Sequence, residues 1–271
     1  MGRGDGMKAD CACIPCIMKQ AYNTARRATD DETVIRTILD RTAEYIKELD
    51  LSQAPADASN FVYEVTREIT GNTDPYRDEK RKYNDLCMGM MNDIRRRIMN
   101  EPDPLYASAR IAILGNVIDL GIGYAFDLDR ELERIFTMDL GRDDFSDFRN
   151  ILATGGKNIL YLGDNCGEIV FDRLFIEQLN DQHDITFVVK RGPIINDATR
   201  EDAEYVGITD MAGVIDTGSD GIGVKWSAVS DEFVRAYEQA DVIVSKGQGN
   251  FETMSDRPGS IFFLLRAKCD S

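Results

Sequence analysis

Ile159-Leu-Tyr-Leu-Gly-Asp-Asn-Cys-Gly-Glu168 is the stretch of sequence that decides the fold. An apolar run ends abruptly at Gly163, polar residues follow, and an apolar pattern with helical spacing starts at Ile169. Such a pattern predicts a buried parallel strand that leads directly into a helix. Open α/β sheets bind ligands where the carboxyl ends of strands meet the amino ends of helices. We therefore expect Asp164 and Asn165 at the edge of a ligand-binding crevice.

Apolar runs alternate with helical patterns throughout the chain after Gly155-Gly156. This alternation is typical of βαβ units, in which a helix connects two parallel strands. We predict strands over residues 158–162, 185–189, 213–216, 242–245 and 261–265, and helices over residues 199–206 and 231–240. Because such connections are right-handed, the carboxyl ends of these strands should lie at one edge of the sheet.

The chain before Gly155 has helical patterns and few runs that resemble strands. We predict helices over residues 31–49, 60–70, 76–99, from 105 onward, 127–136 and 143–152. Ser59 is the predicted N-cap of the second of these helices. Small residues on the helix from Leu105 predict close packing against a neighbouring element. The predicted fold class is α/β, with an all-helical N-terminal region over residues 1–154 and an α/β domain over residues 155–271.

The composition is that of an ordinary globular protein. The chain has 271 residues, 43% hydrophobic and 30% charged, which suffices for one or two domains. Its 48 acidic and 32 basic residues give a formal net charge of -16, and nucleic-acid phosphates require a basic surface, so we expect no nucleic-acid partner. No apolar run approaches the roughly 20 residues of a membrane span, and Met1–Gly6 lacks the apolar core of a signal peptide. We therefore expect a cytoplasmic protein, with Met7 as an alternative start.

Three loops follow predicted strands and share one edge of the sheet. The first, residues 163–168, carries Asp164 and Asn165, and the second, residues 190–202, carries Asp197. Asp197 also lies just before Thr199, so a simple role at the start of the next helix is an equal alternative. The third loop, residues 245–252, brings two glycines that let the backbone approach a ligand, and Lys246, whose charge suits a phosphate.

Hard oxygen ligands without a nearby histidine suit magnesium or manganese better than zinc. The single histidine, His183, lies in a polar turn, and we expect it to be a solvated surface residue. A divalent cation beside a lysine and helix N-terminal amides is a site for a phosphorylated ligand. Covalent aspartyl chemistry normally shows an Asp-x-Asp pair after the first strand. The Asp164-Asn165 pair instead favours attack by metal-activated water.

The six cysteines do not form a disulfide framework in a chain of this length. Three of them, Cys11, Cys13 and Cys16, have the spacing of metal ligands, and Cys87 or Cys269 is a candidate fourth thiolate. The alternative is that these cysteines are reduced and bind nothing. Cys166 follows the first strand beside helix amides, but without a histidine near it in sequence we do not expect it to be a nucleophile.

Several spaced motifs resemble the domain-of-unknown-function-89 family, whose members are described as metal-dependent damage-control phosphatases. The matching stretches are Gly163–Glu168, Arg191–Thr199, which is one residue shorter here, Lys246–Glu252, an N-terminal Cys-x-x-Cys, Asp74-Pro-Tyr76 and Gly115-Asn116. The resemblance covers nearly the whole chain and implies a helical N-terminal region packed on a doubly wound, mainly parallel, Rossmann-like sheet. The resemblance also implies that the chain belongs to the subgroup with N-terminal cysteines. Members of this family usually continue a little beyond the position of Cys269.

The resemblance implies roles for individual residues. Asp164, Asn165 and Asp197 would hold a divalent metal (Mg, Mn, Co or Ni), Lys246 would hold the phosphate with amides near Gly167 and Gly247, and Asn116 and Asp119 would approach from the helical region. The resemblance places Glu168 near the site. The alternative is that Glu168 is only an acid in the first turn of the following helix, where it interacts favourably with the helix dipole. The implied activity is hydrolysis of small phosphorylated metabolites. Two other classes remain open: an S-adenosylmethionine-dependent carboxyl methyltransferase and a non-catalytic metal- or nucleotide-binding module.

Overall fold

A sheet of five parallel strands forms the centre of the fold, in a computed structural model that describes residues 7–115 and 128–267. The strands are β1 (Asn158–Leu162), β2 (Asp184–Val189), β3 (Gly213–Asp216), β4 (Val242–Lys246) and β5 (Ile261–Leu264). All five were predicted from the apolar runs, and each bound agrees within one residue. The α/β fold class with a doubly wound parallel sheet is confirmed.

Seven helices precede the sheet in the described part of the chain. They are α1 (Cys13–Ala28), α2 (Glu32–Lys47), α3 (Pro55–Thr70), α4 (Arg77–Asn100), α5 (Pro104–Gly115), α6 (Leu128–Thr137) and α7 (Phe145–Leu152). The helices between and after the strands are α8 (Glu168–Ile176), α9 (Arg200–Tyr205), α10 (Asp231–Gln239) and α11 (Gln248–Met254). None of the described helices is long and apolar enough to cross a membrane.

The predicted start of α3 is wrong. The helix begins at Pro55, four residues before Ser59, and Ser59 is buried inside it. Ala54 is extended, and a proline at the first helical position has the backbone angle that a helix requires and no N–H to satisfy. Ser59 resembles an N-cap by residue type only, because a serine is equally able to lie inside a helix.

The two faces of the sheet are covered by different elements. Along β1, Ile159 and Tyr161 belong to a hydrophobic cluster that includes residues of α4, α5, α7 and α8. Leu160 and Leu162 point to the opposite face, in a second cluster with Phe233 of α10 and Met254 of α11. This alternation follows from the two-residue period of a strand that is buried on both sides.

Helix α5 joins the helical region to the α/β domain. Its small residues Ala107, Ala109 and Ala112 are buried, and the helix packs mainly against α8, as the pattern of small residues predicted. One hydrophobic cluster therefore spans both sides of the predicted boundary at residue 154. The division of the chain into domains at that residue stays a prediction.

The strand order, β3-β2-β1-β4-β5, places a topological switch point between β1 and β4. After β1 the chain adds β2 and β3 on one side, and it then crosses back to add β4 and β5 on the other. In such sheets the ligand crevice lies outside the carboxyl ends of the two strands at the switch point. Leu162 pairs with Ser245 there, so the loops after β1 and β4 start side by side.

Candidate functional site

The loops after β1 and β2 are joined by backbone hydrogen bonds. The N–H of Ala198 donates to the carbonyl of Asp164 (2.8 Å), and the N–H of Cys166 donates to the carbonyl of Asn196 (2.8 Å). Asn165 and Asp197 form an antiparallel bridge between these bonds. Two polar residues that are 32 positions apart in the sequence therefore lie opposite each other, as the shared edge of the sheet predicted.

The loop after β4 lies against the same place through a glycine. Gly247 has a φ of 78°, and a side chain there would overlap the carboxylate of Asp164. Asn250 of α11 fixes this arrangement, because its Nδ2 donates to the carbonyls of Gly163 (3.1 Å) and Lys246 (2.8 Å). The three predicted loops thus meet at the switch point.

Substitution of Gly247 by alanine tests this close approach. The positive φ and the overlap with Asp164 should lower the free energy of unfolding by about 2 kcal/mol or more and displace the carboxylate. A displacement of this kind should lower turnover by about a hundredfold. The matched control is Gly89→Ala in α4, where no atom lies within 4 Å of the new methyl group; it should raise the free energy of unfolding by about 0.5–1 kcal/mol. Chemical denaturation and activity assays measure both, and a fully active Gly247→Ala protein would contradict the geometry.

Lys246 is the last residue of β4, and its side chain is fully buried beneath the loops. Its Nζ lies 2.6 Å from Oδ1 of Asp172 and 3.7 Å from Oε2 of Glu168. Burial alone would lower the pKa of Lys246, but the neighbouring carboxylates of Asp172 and Glu168 raise it above its usual value, so the lysine stays charged. Lys246 is therefore a buried cation within an ion-pair network.

Asp172 of α8 is a functional candidate that sequence reasoning missed. It is fully buried, and its Oδ1 also accepts a hydrogen bond from the hydroxyl of Tyr161 (2.8 Å). Burial raises its pKa to about 6, against the opposing charge of Lys246. The sequence feature that could have identified Asp172 is its position: it is an acid among the apolar residues of α8, where burial is expected.

The carboxylates of Asp164, Asp197 and Glu168 influence one another electrostatically at the edge of the crevice, although the three acids alone do not form a metal-binding group. Burial, followed by the charges of Asp197 and Glu168, raises the pKa of Asp164 well above its usual range. Burial also raises the pKa of Asp197 to about 6, partly offset by Lys190. Asn165 separates two of these acids, since its Nδ2 donates to Asp164 (3.0 Å) and to Glu168 (2.8 Å). Glu168 begins α8 and also contacts the site, so its two predicted roles are compatible.

Lys190 is the second basic residue at the site, and it was not predicted. It follows β2 directly, as Lys246 ends β4, and only 3% of it is exposed. Its Nζ lies 3.6 Å from Oδ2 of Asp197 and donates to the carbonyl of Gly223. The signal in the sequence was a lysine at the carboxyl end of a buried strand.

The predicted phosphate-binding amides are already bonded within the protein. The N–H of Gly167 donates to Oδ1 of Asn84 in α4 (2.6 Å), and the N–H of Gly247 donates to the carbonyl of Leu264 (3.2 Å). Both glycines lie at the site, but in this arrangement neither amide is available to a ligand. Their positive φ values explain why glycine is required at each position.

Helix α4 supports the first loop through a buried polar network. Asn84 accepts the Gly167 N–H, while Lys80, only 4% exposed, lies 3.1 Å from Asp74 and 3.5 Å from Asp202. The carboxylate of Asp202 accepts the N–H of Thr199, which caps α9 as predicted. No local pattern indicated this network, because its members come from segments that are distant in the sequence.

Replacement of Asn84 by alanine should leave the buried Gly167 N–H without an acceptor. The expected loss in the free energy of unfolding is about 1–3 kcal/mol. Turnover should fall as well, since Gly167 begins the turn into α8. The control is Asn92→Ala, an exposed position of the same helix, which should change stability by less than about 0.5 kcal/mol. Equal melting temperatures for the two variants would show that the Asn84 bond does not hold the loop.

The cysteines lie outside this chemistry. Cys166 is buried, and burial raises its pKa well above the usual thiol value, in agreement with the expectation that it is no nucleophile. Cys87 is buried in the hydrophobic core, and burial raises its pKa to about 12; its role as a fourth thiolate ligand stays a prediction. Cys11 and Cys16 are exposed. Within residues 7–115 and 128–267, no three His, Cys, Asp or Glu side chains converge so as to hold a metal.

The expectation for His183 is wrong. It is buried, with 9% of its surface exposed, and its Nδ1 accepts a hydrogen bond from the N–H of Lys157 (3.3 Å). Burial lowers its pKa, so the imidazole is favoured in its neutral form. The polar residues next to His183 predicted exposure. The histidine is buried because Lys157, which lies 26 residues away just before β1, packs against it.

The family described as "Damage-control phosphatase ARMT1-like domain" matches residues 9–271. The chain belongs to this family. It is 35% identical to the damage-control phosphatase PH1575 of Pyrococcus horikoshii, with 97% of this chain and 92% of the relative covered. It is 30% identical to a damage-control phosphatase of Archaeoglobus fulgidus, with 97% and 93% covered. The crystal structure of the domain-of-unknown-function-89 protein of P. horikoshii superposes with a TM-score of 0.90 at 34% identity, over 98% of this chain and 93% of that one.

Membership of the ARMT1-like family confirms the resemblance found in the motifs. The three N-terminal cysteines are present, but the subgroup that they mark stays a prediction, as does a metal site at Cys11, Cys13 and Cys16. Asn116, Asp119 and Cys269 lie outside the described residues. Their predicted roles also remain predictions.

The charge at the family's candidate site fits a divalent cation. Four acids and two lysines lie there and influence one another electrostatically: Asp164, Glu168, Asp172, Asp197, Lys190 and Lys246. With all of them ionised the cluster carries two excess negative charges, which a divalent cation would balance. Two carboxylates and the oxygen of Asn165 form a hard donor set that suits Mg²⁺ or Mn²⁺ once water or substrate oxygens complete the coordination.

Proposed function

We propose that the chain is a metal-dependent phosphatase that hydrolyses small phosphomonoester metabolites by means of metal-activated water. The carrying observation is the meeting of Asp164, Asn165 and Asp197 at the switch point, above two buried lysines. Relatives named damage-control phosphatases support the same activity. The proposed cofactor is Mg, Mn, Co or Ni.

Asp164, Asn165 and Asp197 would hold the metal, which when bound supplies a Lewis acid and a water of lowered pKa. Lys246 and Lys190 lie beneath these ligands and place positive charge where the phosphoryl group develops negative charge. Glu168 links the proposed metal ligands to the buried lysines, because it contacts both Asn165 and Lys246. Asp172 accepts a hydrogen bond from the ammonium group of Lys246 and holds it in place, and the hydroxyl of Tyr161 donates to the same oxygen of Asp172.

The predicted contacts of substrate with Asn116 and Asp119 remain part of this proposal. They would come from the segment that follows α5, on the side of the helical region. Since the N–H groups of Gly167 and Gly247 have protein acceptors, we assign charge stabilisation to the lysines rather than to these amides.

Phosphate release from a panel of phosphomonoesters tests the proposal. Protein stripped with EDTA should release no phosphate, and Mg, Mn, Co or Ni should each be tested for restoring turnover. Release that is independent of added metal would contradict the metal role. No release from any ester, together with a thermal shift on S-adenosylmethionine, would favour the methyltransferase; no release and no shift would favour a binding module.

A further inference from the structure

The turn that leads to Asp197 has a backbone conformation that its own sequence disfavours. The N–H of Asp197 donates to the carbonyl of Ile194 (3.0 Å), so a four-residue turn closes with Ile195 and Asn196 at its centre. Among residues 7–115 and 128–267, Ile195 is the one residue other than glycine whose φ is positive, at 45°. Glycine or asparagine normally occupies such a position, because a β-branched side chain crowds the backbone there.

Ile195 is held in this conformation by contacts from outside the loop. Its side chain packs against a hydrophobic cluster of the helical region, which is built largely from residues of α1 and α3. Ile194 is buried in the same cluster, and the guanidinium of Arg67 in α3 donates to the carbonyl of Pro193 (3.2 Å). A strained backbone persists only where the surrounding structure enforces it, and here the enforcing contacts come from the helical region.

The same turn aligns two of the candidate metal ligands. The carbonyl of Asn196, directly after Ile195, accepts the N–H of Cys166 (2.8 Å), and Asp197 forms the bridge to Asn165. A relaxed backbone at Ile195 would therefore move the Asn196 carbonyl and turn Asp197 away from Asn165. Displacements of about 1 Å at such a site are enough to weaken its chemistry strongly.

We propose that Ile195 is a positioning residue for the metal site: its contacts with the helical region keep the turn in its strained form and so set Asp197 opposite Asn165. The helical region thereby acts on the metal site through a side chain that touches neither metal nor substrate. The effect on metal binding rests on the proposed function, whereas the effect on the turn does not.

Three substitutions separate strain from simple packing. Ile195→Ala keeps the Cβ atom, so the positive φ stays unfavourable, but it removes the atoms that reach the cluster. Ile195→Gly removes the same atoms and accepts the positive φ without cost. Ile195→Val retains the branched shape and most of the contact. If Ile195 only filled space, glycine would be worse than alanine because it leaves the larger cavity, whereas release of strain reverses this order at the site.

Amide hydrogen exchange in the metal-free protein reports on the turn directly. In Ile195→Ala the N–H of Cys166 should exchange at least tenfold faster, relative to the amides of β1, which report on global unfolding. Ile195→Gly should lose less protection, and Ile195→Val should match the wild type. The affinity for Mn²⁺, followed by electron paramagnetic resonance of the free ion, should fall in the same order, at least tenfold in Ile195→Ala.

Ile46→Ala is the matched control, because Ile46 of α2 packs against the same cluster away from the turn. It should lower the melting temperature without changing either the relative exchange of Cys166 or the affinity for Mn²⁺. Circular dichroism verifies that each variant is folded. If Ile195→Ala is not, Ile195→Thr replaces it, since threonine has the shape of valine and a hydroxyl group in place of one methyl group.

The positioning role is overturned if folded Ile195→Ala protects the Cys166 N–H as the wild type does, or if Ile195→Gly is as poor as Ile195→Ala or poorer. It is also overturned if the wild type binds Mn²⁺ and every variant binds it equally well. If even the wild type binds no Mn²⁺, the proposed function fails, and hydrogen exchange alone decides whether Ile195 holds the turn.

Discussion

Replacement of Asp164 by alanine is expected to lower kcat/KM for metal-dependent phosphate release by about a thousandfold, which corresponds to about 4 kcal/mol of lost transition-state stabilisation. Asp164 supplies one of only two carboxylates in the proposed ligand set, and it lies where all three loops meet. Without it, Asn165 and Asp197 retain one charge between them. The metal should then bind too weakly to activate water.

The Asp164→Ala variant should lose phosphatase activity without losing stability against unfolding. Burial and the charges of Asp197 and Glu168 raise the pKa of Asp164, so ionisation of this group opposes folding at neutral pH. Its removal should leave the melting temperature of the metal-free protein equal or higher. Asp181→Ala, at an exposed acid in the turn after α8, serves as the control and should change neither quantity. An Asp164→Ala protein that melts much earlier would indicate a structural role instead.

Lys246→Met should affect both activity and folding. It leaves Asp172 and Glu168 in a buried position without their shared cation, and breaking a buried pair from one side costs about 3–5 kcal/mol. Turnover should fall at least about a hundredfold, because a preorganised charge at the phosphate is lost. Lys47→Met on the exposed surface of α2 is the control and should have little effect.

The destabilisation of Lys246→Met should depend on pH. Without the lysine, the pKa of Asp172 rises further from its value of about 6, and an acid with a raised folded pKa binds more protons in the folded state than in the unfolded state. Stability is therefore retained at low pH and lost as the pH rises through the interval between the two pKa values. Denaturation at pH 5 and pH 8 should show the larger loss at pH 8.

The double variant Lys246→Met/Asp172→Asn separates the two roles of the lysine. Neutralising both partners removes the buried unpaired charge, so stability should recover in large part and lose most of its pH dependence. Activity should stay low, because the positive charge at the proposed phosphate position is still absent. Recovery of turnover in the double variant would mean that Lys246 acts only as a structural partner of Asp172.

Sequence reasoning identified the site residues whose positions depend on the ends of strands. Asp164, Asn165 and Asp197 directly follow or lie close to buried strands, and parallel strands that end at one edge necessarily bring their loops together. The local pattern was sufficient for this inference, because it required only the strands and their direction.

The supporting residues could not be found in the same way. Asn84 contacts Gly167 across 83 residues, and Lys246 contacts Asp172 across 74, so neither pairing leaves a local pattern. His183 is the opposite case. Its polar neighbours predicted exposure, but the start of β1 covers it, and burial depends on the packed structure rather than on neighbouring residue types.

We propose that Asp164, Asn165 and Asp197 bind one divalent metal together. Anomalous diffraction from crystals soaked in Mn²⁺ would locate that metal. We expect a strong anomalous peak at the switch point between β1 and β4, about 2.0–2.3 Å from an oxygen of each of the three side chains. A protein that hydrolyses phosphomonoesters with Mn²⁺ but shows its peak at the N-terminal cysteines, or at any place away from Asp164, would contradict it.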